Sequence, residues 1–166
     1  MKPIYLIGST VALLALAAAV YVSRQRTGPA SAPAAEFTGG ASGASIAQGQ
    51  VLYRENCASC HGKSLEGQPN WREPDADGRL PAPPHDETGH TWHHPDSMLF
   101  DYTKFGGQAT LAAMGVELES GMPAFGKQLS DDQIRSILDY IKSAWPARVR
   151  AAQAERTRAD EQARKQ

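Results

Sequence analysis

The chain's two cysteines stand together, in Cys57-Ala58-Ser59-Cys60-His61. Cysteines three residues apart lie about one helical turn from each other, on the same side. Each sulfur can therefore form a thioether to one of two neighbouring vinyl groups of a haem. The pattern C-x-x-C-H is the attachment sequence for haem of the c type. His61 is then carried under the iron, where a neutral imidazole nitrogen can act as proximal ligand. Covalent tethering also holds the haem in a chain too short to enclose it fully. Two other chemistries compete for the cysteines. A structural zinc site needs four ligands, and no second cysteine pair exists, although downstream histidines could contribute. A redox dithiol needs a thioredoxin-like βαβ setting, which the sequence lacks.

A second axial ligand is sought among Met1, Met98, Met114 and Met122. Met122 lies in Gly121-Met-Pro-Ala-Phe-Gly126, where proline restrains the backbone and the flanking glycines allow a tight loop beside a haem face. Met114, in Leu-Ala-Ala-Met-Gly, reads as a core methionine, and Met98 as part of an inward helix face. Met122 is the expected sixth ligand; a histidine, Met114 or an open position are the alternatives. His85, His90, His93 and His94 fall within ten residues. They could form a second copper or zinc site, but they do not repeat a helical spacing. A polar loop packed beside the haem is the plainer expectation. Ordinary packing of the long loop is the expectation for Trp71, Trp92 and Trp145, with Trp92 the preferred candidate should one of them donate to a haem propionate.

These residues need elements to hold them. Residues 45–56 read as a helix entering the cysteine motif, with Ile46, Gly49 and Tyr53 at helical spacing. Residues 129–142 form the strongest helical pattern. Ser130 and Gln133 make a capping box, Asp131 and Asp132 favour the helix start, and Ile134, Ile137, Leu138 and Ile141 make the apolar stripe. Between them, six prolines from Pro69 to Pro95 predict a long extended loop, and residues 96–104 a short helix with Met98, Leu99 and Tyr102 inward. No stretch shows strand alternation. The fold class expected is all-α, with three to five helices around the haem and a long irregular loop.

At this point the chain resembles a class I, monohaem c-type cytochrome of the membrane-anchored bacterial kind. The likeness rests on Gly49, Tyr53, Cys57-Ala-Ser-Cys-His61, Met122-Pro-Ala-Phe125 and the helix around Tyr140, and runs from about residue 45 to residue 144. It implies that the first and last helices of the fold cross in close contact, Gly49 and Tyr53 meeting Ile137 and Tyr140. It also implies that a proline carbonyl receives the other N–H of His61, and Pro83 is the best match, with Pro84 beside it. The site residues expected are thus Cys57, Cys60, His61, Met122 and Pro83, with His61 and Met122 on the iron of one covalently bound haem c.

The remaining segments frame the domain. Residues 1–22 contain 19 uncharged residues from Ile4 to Val22, about 28 Å as a helix. They read as a transmembrane anchor, with a cleaved signal segment as the competing reading. Either way the rest is exported, and the expected location is the periplasmic side of a bacterial inner membrane, or the periplasm after cleavage. Residues 23–44 are Gly-, Ala-, Ser- and Pro-rich and read as a flexible linker. The haem domain is expected over residues 45–146, and residues 147–166 as a charged tail, either a frayed solvated helix or disordered.

Of the 166 residues, 17 are basic and 18 acidic, which gives no support for a nucleic-acid binder. The even total hides an uneven distribution. Residues 45–146 carry 8 basic and 14 acidic side chains, and the tail carries 6 basic and 3 acidic. An acidic domain implies redox partner proteins with a basic docking patch. With both axial positions filled, the expected role is electron transfer near the membrane and not enzymatic catalysis. The alternatives are a fixed haem subunit of a larger oxidoreductase, and a haem enzyme or gas sensor with a labile sixth ligand.

Overall fold

The computed structural model describes residues 41–166, so the segment read as an anchor and most of the linker lie outside the described residues. The described residues form helices and loops, with no strand among them. None of their helices is long and apolar enough to cross a membrane. Helix α1 (Gly43–Asn56) starts at Ser42, whose hydroxyl accepts the Ser45 N–H. A single turn, α2 (Ala58–His61), follows and ends at Gly62. After a long loop and a 3₁₀ turn at Thr91–His93 come α3 (Asp96–Phe105), α4 (Gly107–Ala113), α5 (Asp131–Ser143) and α6 (Ala147–Ala163).

The start of α5 follows its sequence pattern. The Ser130 hydroxyl accepts the Gln133 N–H at 3.2 Å, and the Gln133 side-chain oxygen accepts the Ser130 N–H at 2.8 Å. Two otherwise orphaned backbone donors are thereby satisfied. The stripe Ile134, Ile137, Leu138 and Ile141 is buried and joins Tyr53, Leu65, Phe125, Leu129, Trp145 and Val149 in one core.

Helices α1 and α5 make the main crossing. Gly49 is the contact point: a Cβ there would overlap the Ser136 carbonyl oxygen and sit 3.0 Å from the Tyr140 Cβ. The rings of Tyr53 and Tyr140 pack 5.4 Å apart. Polar groups line the rim, the Ser45 hydroxyl donating to Asp139 at 2.7 Å.

Helix α6 differs from the expectation of a frayed or disordered tail. It is a continuous helix whose Val149 and Gln153 are buried. Its contacts are mostly polar, which is why no apolar stripe announces it. The Gln153 amide nitrogen lies 2.7 Å from Asp96 Oδ1 and 3.2 Å from the His94 carbonyl. The Thr157 hydroxyl accepts the Asp96 N–H at 3.1 Å, and the Ser97 hydroxyl donates to Asp160 at 2.7 Å. Lys142 of α5 meets the same Asp96 at 2.9 Å. Asp96 thus ties the start of α3 to the middle of α6 and the end of α5.

Candidate functional site

The cysteine motif sits where α1 runs into α2. Cys57 N–H donates to the Tyr53 carbonyl and His61 N–H to the Cys57 carbonyl, so the backbone stays helical through the motif. Cys57 is half-buried and packs against the core, while Cys60 is exposed; both are free thiols. Burial, with Cys60 nearby, pushes the Cys57 thiol up to about 11. This thiol is therefore held protonated at neutral pH.

His61 is buried beneath the motif. Its Nδ1–H donates to the Pro83 carbonyl at 2.8 Å, which leaves Nε2 as the nitrogen available to a metal. Burial lowers the basicity of the ring, partly opposed by the bond to Pro83, so the imidazole is held in its neutral, ligating form. The Tyr53 hydroxyl donates to the Gly62 carbonyl at 3.0 Å and lies 3.3 Å from that of His61. The first helix thus holds both ends of the His61 backbone turn.

The Pro83 carbonyl reaches His61 because the long loop folds back on itself. Gln68 N–H donates to the Ala82 carbonyl, and Ala82 N–H returns to the Gln68 side chain at 2.8 Å. His85 N–H donates to the Leu65 carbonyl at 2.8 Å. Gly67 sits between these rungs at φ +69°, where a Cβ would overlap the backbone nitrogen of Pro84. Only glycine meets both the conformation and the space.

Met122 is partly buried against the core, on a segment without regular secondary structure. Gly107 N–H donates to the Met122 carbonyl at 3.0 Å, and Phe125 N–H to the Thr103 carbonyl at 3.0 Å. The Ser120 hydroxyl accepts the Met122 N–H at 3.3 Å. These bonds dock the loop on the end of α3 and the start of α4. Met114 is not a core residue: it is 52% exposed, because α4 ends there and its side chain faces a surface groove shared with Met98 and Phe105.

The histidine cluster divides among three sets of partners. His85 lies face to face with His61, His90 stacks on Trp71 and meets His94 edge-on, and His93 packs on Trp92. Among the described residues, no three His, Cys, Asp or Glu side chains converge to hold a metal ion. The Trp92 indole N–H faces the Glu87 carbonyl at 3.3 Å, a packing contact within the long loop. The Trp145 indole N–H donates to the His85 carbonyl at 2.7 Å. Sequence reading placed Tyr53 at the helix crossing without its hold on the His61 turn, and it missed Trp145 and Leu65 as supports of the site. The Trp145 and Leu65 contacts with His85 join segments 60 and 20 residues apart, the Tyr53 contacts span eight and nine residues, and no spacing rule records any of them.

The donor set fits a haem of the c type. Two unbridged thiols lie one turn apart, followed by a neutral imidazole with one free nitrogen, and a thioether is held on a separate loop. Residues 44–141, more than half of the chain, match the family described as cytochrome c oxidase, cbb3-type, subunit III. No curated protein and no solved structure matches the chain. The chain belongs to that family, and its helical body is a c-type cytochrome domain, which implies covalently bound haem c and haem-based electron transfer.

Proposed function

We propose that this member of the family is a membrane-tethered carrier of single electrons, holding one haem c. Cys57 and Cys60 would supply the two thioether bonds, and His61 Nε2 and Met122 Sδ the two axial ligands. The observation that carries the reading is the 2.8 Å bond from His61 Nδ1 to the Pro83 carbonyl. It fixes the tautomer and aims the remaining nitrogen, as an outer-shell partner does for a metal-bound histidine. Bound there, the haem iron supplies a reversible one-electron couple, its potential raised by the methionine–histidine pair.

The chain's own part is to hold ligands and exclude water. Tyr53 and Pro83 immobilise His61, and the docked segment from Ser120 to Phe125 keeps Met122 in reach. With His61 and Met122 both on the iron, no coordination site would be left for a substrate, so the reading is a carrier and not an enzyme. Carbon monoxide tests it. The native ferrous protein should bind the gas weakly, whereas Met122→Ala should bind it readily and lose the methionine-to-ferric-iron absorption band. Ready binding by the native protein would instead favour a sensor or enzyme with a labile sixth ligand.

The anchor read at residues 1–22 would place the domain on the periplasmic side of a bacterial inner membrane. The linker would raise its concentration near membrane partners. The acidic body favours partners that present a basic patch. The family description favours a second reading, a fixed subunit of a larger oxidoreductase. Helix α6, the handle such an assembly would use, already spends its buried residues on α3 and the 3₁₀ turn. Detergent extraction distinguishes the two: a carrier runs alone, a subunit only within a complex.

A further inference from the structure

We infer that His85 is a positioning residue for the His61 imidazole: the two rings lie face to face, 4.0 Å between centroids and 22° between planes. The inference rests on the reading of His61 as an iron ligand. The Pro83 hydrogen bond restrains His61 at one atom, Nδ1. Such a bond tolerates rotation of the ring about the line from Nδ1 to the carbonyl oxygen. A flat surface against the ring face removes that freedom, and His85 supplies one.

His85 is itself built in from four directions. Its N–H donates to the Leu65 carbonyl at 2.8 Å, and its carbonyl accepts the Trp145 indole N–H at 2.7 Å. Its Nδ1 lies 2.9 Å from the hydroxyl of buried Thr91. The Tyr53 ring meets it edge-on, at 73° and 6.1 Å. An aliphatic side chain in this place could fill the volume but could not define a plane.

The plane of an axial imidazole relative to the porphyrin nitrogens sets how the iron d orbitals split. The ferric electron paramagnetic resonance spectrum reads that splitting directly. The test uses the matured full-length protein with His85→Leu, which keeps bulk without a flat face, and His85→Phe, which restores the face without ring nitrogens. Native protein should give one narrow set of low-spin g values. His85→Leu should keep its haem content and reduced α band, while its largest g value shifts by more than a linewidth or splits into several species. His85→Phe should return to one narrow set. A His85→Leu spectrum identical to native would overturn the inference, and so would a His85→Phe spectrum as broad as that of His85→Leu. Should the leucine variant fail to mature, His85→Ala takes its place in the same comparison. Native protein without covalent haem or without a low-spin signal would refute the ligand reading instead, whatever the variants do.

Discussion

Replacing Gly49 with alanine tests the helix crossing that frames the site. The added Cβ would overlap the Ser136 carbonyl oxygen, with the carbonyl carbon 2.5 Å away and the Tyr140 Cβ at 3.0 Å. Unbonded carbons prefer about 3.5–4.0 Å. Helix α1 must therefore retreat from α5 by about 1 Å, loosening the packing of Tyr53 on Tyr140. Overfilling a packed contact costs about 1–3 kcal/mol, and rigid backbone on the far side argues for the upper end. Alanine returns about 1 kcal/mol through its better helix propensity. The net loss is about 1–2 kcal/mol, or roughly 4–8 °C in Tm for a domain of this size. Gly43→Ala in the same helix is the control, because a Cβ there meets nothing within 4 Å. Thermal melts of the two holoproteins should place Gly49→Ala well below native and Gly43→Ala at or above it. A Gly49→Ala protein as stable as native would refute the crossing.

Three further outcomes are expected. Removing residues 147–166 strips Val149 and Gln153 from their buried places and should lower stability by about 3 kcal/mol, from lost apolar burial and orphaned acceptors at His94 and Asp96; denaturant titration of the shortened holoprotein checks this, and an unchanged midpoint would show that α6 is not part of the body. Burial depresses the basicity of His90 and His94, so the unfolded chain binds protons at higher pH than the folded one. Their contribution to stability is complete above the ordinary histidine pKa of about 6.5 and falls away as pH drops below it; a His90→Gln, His94→Gln double variant should flatten the decline between pH 7 and pH 5. Electron exchange with a basic partner should slow as salt rises, because the acidic body attracts it through screened charge; stopped-flow rates independent of ionic strength would remove the proposed docking patch.

Much of this was readable from local pattern. The C-x-x-C-H motif, the capping box at Ser130 and the apolar stripe of α5 are short-range features, and short-range physics decides them. Pro83 came from the resemblance and not from any spacing, yet it lies against His61 as that resemblance implies. Helix α6 was illegible because only two of its residues are buried and one of these, Gln153, is polar. The histidine loop was illegible for a related reason. Its rings find partners in Trp71, Trp92 and His61 through a folded-back loop, and Gly67 and Gln68 set that path without any periodic signal. Met114 was misplaced because an apolar neighbourhood in sequence becomes the rim of a groove once α4 stops at Ala113.

Intact mass and the reduced-minus-oxidised spectrum of the protein, purified from a host competent in cytochrome maturation, test the central claim most directly. The account predicts a mass greater than the polypeptide by one haem, an α band that persists after acid extraction, and loss of both in a Cys57→Ala, Cys60→Ala variant. A colourless protein at the polypeptide mass, or a pigment released by acid, would contradict it.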